Sequence, residues 1–169
     1  LGGSLVFREK IDYEYLKKFS SFINKYPASF GIVVGGGKKA KEYIDIGRKL
    51  DEGNFDLDMI GIAITKANAR IVKASISGAS FFDDVEPASN FLNSGGRIAV
   101  LGGTTPGHTT DTVAALLAED WKADRLLNLS RFSGIYNKDP ANFKNAKKFS
   151  TLSYDRLISM AAEFDKRKP

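Results

Sequence analysis

Cysteine is absent from the 169 residues, and histidine occurs once, at His108. The first absence excludes a disulfide scaffold, a thiolate metal centre and cysteine nucleophile chemistry. The second excludes a cluster of several histidines on a metal, and no metal-ligating set is expected in the chain. Long apolar runs are missing as well. Stretches such as residues 30–34 and 98–101 fall far below the ~20 residues of a membrane-spanning helix. No basic segment followed by an apolar one marks a targeting peptide. The expected compartment is the cytoplasm, with no membrane partner. A basic surface is lacking over most of the chain: residues 1–137 carry 17 basic and 16 acidic side chains, whereas residues 138–169 carry 8 and 4. The net charge of +5 is therefore mainly a C-terminal property. It does not argue for a nucleic-acid partner.

What is present is the composition of a folded domain, 43% hydrophobic and 27% charged. Helical periodicity runs over residues 12–26, where Leu16, Phe19, Phe22 and Ile23 share a face, Asp12 caps the start and Pro27 ends the pattern. Residues 30–34 read as a strand buried on both faces, broken by Gly35-Gly36-Gly37. Residues 38–51 and 55–77 read as helices, the second closed by Gly78 as a C-cap. Phe81 and Phe82 read as a connector, residues 87–92 as a short helix and 97–101 as a second buried strand. A compact helix over 112–122 and a third strand over 125–129 follow. Residues 137–149 are turn-like, and a last helix covers 153–164. Alternation of strand, glycine loop and helix predicts an α/β domain with a mainly parallel sheet.

Three glycine loops stand where a strand should give way to a helix: Gly2-Gly3-Ser4, Gly35-Gly36-Gly37-Lys38, and the segment from Gly102 to Asp111. In open α/β sheets, ligands bind beyond the C-terminal strand ends. Glycine lets backbone N–H groups approach an oxyanion, and the following helix N-terminus adds partial positive charge. Together the loops predict a phosphate pocket. Residues 35–40 also fit G-x-G-x-x-A, but Asp56 and Asp58, the acidic residues at the required distance, begin a helix rather than end a strand. No segment supplies a P-loop. The third loop reads Gly102-Gly103-Thr104-Thr105-Pro106-Gly107-His108-Thr109-Thr110-Asp111. Asp111 is either a helix N-cap or, beside phosphate, a carboxylate serving a cation such as Mg²⁺ or a lysine. Lys38 and Lys39 are the candidate lysines, and His108 is read as a polar contact rather than a proton shuttle.

Residues 33–38, the Ile64-Thr65-Lys66-Ala67-Asn68-Ala69 segment and residues 102–118 resemble the archaeal-type uridylate kinases of the amino acid kinase superfamily. The resemblance implies a three-layer αβα sandwich around an open, mainly parallel sheet. It implies transfer of the ATP γ-phosphoryl group to UMP, with Mg²⁺ carried by ATP. It implies a cytoplasmic homo-oligomer, by family habit a hexamer, working in pyrimidine nucleotide biosynthesis. Residue by residue it assigns Lys38 and Asp111 to catalysis. Gly3, Ser4, Gly37, Lys41, Ser130, Tyr136 and Asp139 fall on ATP positions. Gly36, Asp58, Thr104, Thr105, Pro106, Gly107, His108, Thr109 and Thr110 fall on UMP positions. Lys41 stands where the family usually has Arg. Residues 130–136 read Ser-Arg-Phe-Ser-Gly-Ile-Tyr, against Thr-Asn-Val-Asp-Gly-Val-Tyr in the family. The resemblance expects a single domain over residues 1–169. It also expects the start of a first strand before Leu1 and two further βα elements after Pro169. Another acceptor (acetylglutamate, carbamate or isopentenyl phosphate) and a non-catalytic UMP-binding module remain the competing expectations.

Overall fold

The computed structural model describes residues 1–164. The basic Lys166-Arg167-Lys168 run lies outside them. The chain divides into two compact units, residues 1–131 and 132–169. The first holds α1 (Gly3–Val6), α2 (Tyr13–Lys25), β1 (Phe30–Val33), α3 (Gly37–Lys49), α4 (Asn54–Ser75), β2 (Ser80–Phe81), α5 (Val85–Asn93), β3 (Ile98–Leu101) and α6 (Thr110–Trp121). Its three strands are all parallel, in the order β1-β3-β2.

The central strand explains the layering. All four residues of β3 are buried, and their side chains alternate between the two faces. Ile98 and Val100 join Ile32 and Val34 beneath Leu16 and Ile23 of α2 and Ala69 and Val72 of α4. Ala99 and Leu101 join Val33 beneath Ala88 and Leu92 of α5 and Val113 and Leu117 of α6. Two separate cores on opposite faces of one small parallel sheet make the three-layer sandwich that the resemblance implies. Helix α3 packs on α4. Among the described residues, no helix is long and apolar enough to cross a membrane.

Helix starts follow their capping chemistry. Asp12 caps α2, its carboxylate accepting from the N–H of Tyr15 at 2.9 Å. Asp84 does the same for α5, accepting from Val85 N–H at 2.7 Å. The C-terminus of α2 is closed from a distance: Arg97, just before β3, donates to the carbonyls of Ile23 and Tyr26, each at 2.7 Å. These are carbonyls that a helix end leaves without an intrahelical partner.

Three expectations are corrected. Residues 80–81 form a strand rather than a connector, with Ser80 opposite Ala99 and Phe81 opposite Val100. Residues 125–129 form no strand, despite their apolar sequence. Leu1 and Gly2 stand between this segment and the end of β1. The Leu1 ammonium donates to Val33 O at 2.7 Å and Gly35 N–H to Leu1 O at 3.0 Å. On the other side Gly2 N–H donates to Leu129 O at 2.8 Å, a bond that makes no ladder with residues 125–129. Finally, α4 ends with Ile76 as its C-cap, and Gly78 supplies a positive φ of 72° in the turn beyond.

The second unit is built from turns, an isolated antiparallel bridge between Tyr136 and Lys148, and α7 (Tyr154–Phe164).

Candidate active site

Strands β1 and β3 run in register from Phe30↔Ile98 to Val33↔Leu101, so the chain leaves both at the same sheet edge. After β1 it passes through Gly35 and Gly36 into α3. After β3 it passes through residues 102–109 into α6. Helix α1 packs on the first of these loops, backbone against backbone. A Cβ on Gly3 would stand 2.2 Å from the amide nitrogen of Gly37, and one on Gly37, whose φ is +68°, would stand 2.4 Å from the carbonyl oxygen of Phe7. Only glycine fits either place.

A cleft of about 1240 Å³ opens beside these loops. Of the residues singled out by sequence, it gathers Gly3, Ser4, Gly36, Gly37, Lys38 and Lys41. Thr110, Asp111 and Ser130 line it as well. The N-termini of α3 and α6 both open on it, each presenting amide N–H groups and the positive end of a helix dipole.

The acidic side chains in the cleft differ in how far they are committed. Asp12 is spent on its cap. Glu9 accepts from the Lys38 ammonium at 2.7 Å, with both side chains exposed. That hydrogen bond, with the attraction between the charges, holds the Glu9 carboxyl below the usual range and the Lys38 ammonium above it. Among the described residues, the Asp111 carboxylate has one long hydrogen bond, 3.4 Å from the Asn128 amide, and its charge also acts on the Leu1 ammonium. Asp111 is not the cap of α6. Thr109 is, its hydroxyl accepting from the N–H of Thr112 at 3.1 Å. The carboxylate of Asp111 therefore sits in the first turn of α6 with no capping duty. Lys39 pairs with Glu42 at 2.9 Å and does not line the cleft, which leaves Lys38 as the lysine of that pair facing it.

The loop after β3 is held differently. Residues 105–108 close a turn with His108 N–H donating to Thr105 O at 3.2 Å. Pro106 takes the second position and Gly107 the third, with φ +84°, the arrangement of a type II turn. The Gly107 N–H donates outward to the Asp58 carboxylate at 2.7 Å, which ties the loop to the first turns of α4. Of residues 104–110, only Thr110 lines the cleft. His108 and Thr109 are exposed.

Tyr136 and Asp139 belong to the second unit. There the Tyr136 hydroxyl lies 3.1 Å from Ser133 Oγ. Asp139 accepts from Ala141 N–H and from the Asn142 amide, each at 2.8 Å, and so caps a turn.

Sequence reasoning gave no role to Glu9, Thr65 or Asn68. Nothing in the sequence marks Glu9. The other two carried a signal: polar residues three apart within an apolar helical pattern.

A match to the Amino acid kinase family runs over residues 1–166. The chain is 41% identical over 167 residues to a uridylate kinase of Thermoplasma acidophilum, covering 96% of this chain and 72% of that protein. The crystal structure of a uridylate kinase from Archaeoglobus fulgidus superposes with a TM-score of 0.84 at 36% identity, covering 96% of this chain and 76% of that one. A UMP kinase structure from Bacillus anthracis, at 18% identity and a TM-score of 0.77 over 94% of this chain and 74% of that one, shares the fold. Fold, glycine-loop cleft and similarity along nearly the whole chain agree: the chain belongs to the amino acid kinase family, among the archaeal-type uridylate kinases.

Proposed function

We infer that this chain is a UMP kinase, transferring the γ-phosphoryl group of ATP to UMP to give UDP in pyrimidine nucleotide synthesis. The observation that carries the reading is the cleft where two helix N-termini, the first two glycine loops and Lys38 converge, in a chain similar over nearly its whole length to uridylate kinases.

The chemistry asks for what this cleft offers. A UMP phosphate oxygen attacks the γ-phosphorus, and the bond to the β–γ bridging oxygen breaks. The attacking oxygen is already anionic near neutral pH, since the second pKa of a phosphate monoester is about 6. No general base is required, in keeping with a single exposed His108 away from the cleft. The work is positioning and charge neutralisation. Gly3, Ser4 and Gly37 cradle ATP phosphates, with Lys41 beside them. Gly36, Asp58 and residues 104–110 hold UMP. Lys38 stabilises the transferring group, exchanging its Glu9 partner for phosphoryl oxygens.

Among the described residues, no group of three or more His, Cys, Asp or Glu could hold a metal ion. Similarity to kinases supports Mg²⁺ arriving on ATP, and Asp111 is the least committed carboxylate in the cleft. When bound, Mg²⁺ neutralises phosphoryl charge. Asp111 orients the cationic side of the site. Ser130, which lines the cleft, serves ATP; the ATP roles of Tyr136 and Asp139 rest on the resemblance alone. The two units act as one domain, as the family match across residues 1–166 supports.

A homo-oligomer, hexameric by resemblance, is supported by exposed apolar side chains on α3, at its C-cap and on α4, among them Tyr43, Ile46, Leu50 and Phe55; the cytoplasmic location rests on the resemblance. Sedimentation equilibrium measures the assembly. The function is tested by ADP release from ATP and Mg²⁺ with UMP, acetylglutamate, carbamate or isopentenyl phosphate as acceptor. UMP is expected to be turned over. UMP binding without turnover would instead identify a non-catalytic module.

A further inference from the structure

Helix α4 presents two polar side chains to the buried side of the glycine loops. Thr65 and Asn68 stand three residues apart and are only 6% and 8% exposed. Each is fully used. The Asn68 amide nitrogen donates to the carbonyls of Gly35 and Gly36, at 3.0 and 3.1 Å. The Thr65 hydroxyl donates to Ile62 O in its own helix at 2.7 Å and accepts from the Gly103 N–H at 2.8 Å. Giving its proton to the helix turns the oxygen lone pairs toward Gly103. The Thr65 methyl lies on the other loop, 3.5 Å from where a Cβ on Gly36 would be. One side chain thus touches the loop after β1 with its methyl and the loop after β3 with its oxygen.

We propose that Thr65 and Asn68 are positioning residues that set the separation and orientation of the two nucleotide loops, Thr65 acting on residues 102–107 and Asn68 on residues 35–37. Neither side chain lines the cleft and each meets loop backbone, so its effect on a nucleotide passes through the loops. A buried side-chain bond fixes a loop only if the loop's backbone groups have no better partner. Here the Gly103 N–H and the Gly35 and Gly36 carbonyls are bonded from α4. The proposal rests on the UMP kinase reading, because it is the two substrates that the loops would hold apart.

Ser75 provides an internal control. It makes the same bond to its own helix, 2.7 Å to Val72 O, in the last turn of α4. The test compares steady-state kinetics of Thr65→Val, Thr65→Ser, Asn68→Ala and Ser75→Ala in the whole chain. Thr65→Val keeps the shape and loses the acceptor. It is expected to raise the UMP KM about tenfold, while kcat and the ATP KM stay within about twofold. Thr65→Ser restores the UMP KM. Asn68→Ala raises both KM values, and Ser75→Ala changes neither. Equal loss of all activity with unchanged KM values, or a serine variant no better than valine, overturns the proposal. Amide hydrogen exchange at Gly103 supplies a readout independent of turnover. Faster exchange in Thr65→Val than in the unmodified chain supports the proposal, and unchanged exchange overturns it. Absence of UMP-dependent ADP release in the unmodified chain would overturn the kinase reading alone, and Gly103 exchange would still decide whether Thr65 holds the loop.

Discussion

The loops after β1 and β3 leave the same sheet edge but are built on opposite plans. The first is backbone against backbone: Gly3 on Gly37, with the Phe7 carbonyl oxygen close behind. The second begins the same way at Gly102, against the backbone of Thr65 and Lys66, then projects a turn that is largely exposed and is tethered outward by Asp58. A polyphosphate is the same in every ATP-dependent transfer and can be held by amides. An acceptor must be told from other acceptors, which takes side chains on a loop with room to shape itself around it. The first loop is therefore expected to fail abruptly on substitution, and the second by degrees.

The sharpest break is at Gly37. Gly37→Ala places a Cβ 2.4 Å from a backbone carbonyl oxygen at a positive φ. Loss of measurable activity with a clear fall in melting temperature is expected, and an active, stable variant would show that the first loop yields as readily as the second. Asp111→Asn comes next. It should lower kcat by roughly 100-fold or more while leaving UMP affinity near that of the parent. If calorimetry finds both falling together, Asp111 belongs to binding. Asp58→Ala removes the tether of the second loop, a charge-assisted bond of about 1.5–3 kcal/mol. The UMP KM should rise at least tenfold with the ATP KM unchanged, and equal changes in both would erase the distinction between the loops.

Arg97→Ala lies outside both loops. Loss of its bonds to the end of α2 is expected to cost about 1–3 kcal/mol in denaturant unfolding, with KM values unmoved. The smallest effect concerns Glu9 and Lys38. The Glu9 carboxyl is held below its usual range by the bond to Lys38 and by its charge. The stabilising contribution is therefore present above the ordinary glutamate range and is lost as pH falls through the lowered value. The Lys38 ammonium is raised for the same reason, so its contribution is full below the ordinary lysine range and fades as pH rises through the raised value. Glu9→Gln should flatten the acid limb of the melting-temperature profile slightly, because the pair is exposed. An unchanged acid limb would show that the pair adds nothing to stability.

How much of this could be read from the chain varies with the kind of interaction. Helix α2 was legible to within a residue or two at both ends, because Asp12, the apolar stripe and Pro27 act within a few residues of one another. The β1 and β3 strands were legible as continuous apolar runs. Residues 125–129 look the same in sequence yet form no strand, and Ser80–Phe81 do not look like a strand yet form one. Pairing depends on which neighbour is present and in what register. Thr65 and Asn68 show the limit most plainly: their partners lie 38, 33 and 32 residues away. Glu9 reaches Lys38 across 29 residues.

Sequence alone thus determined the class of fold, the glycine loops and the family to which they belong. All of these are encoded in local spacing or in motifs. Tertiary structure alone decided which lysine faces the cleft, that Thr109 rather than Asp111 caps α6, and which buried side chains pin the two loops. Each of those depends on atoms far apart in the chain being brought within hydrogen-bond distance, and local spacing does not carry that information.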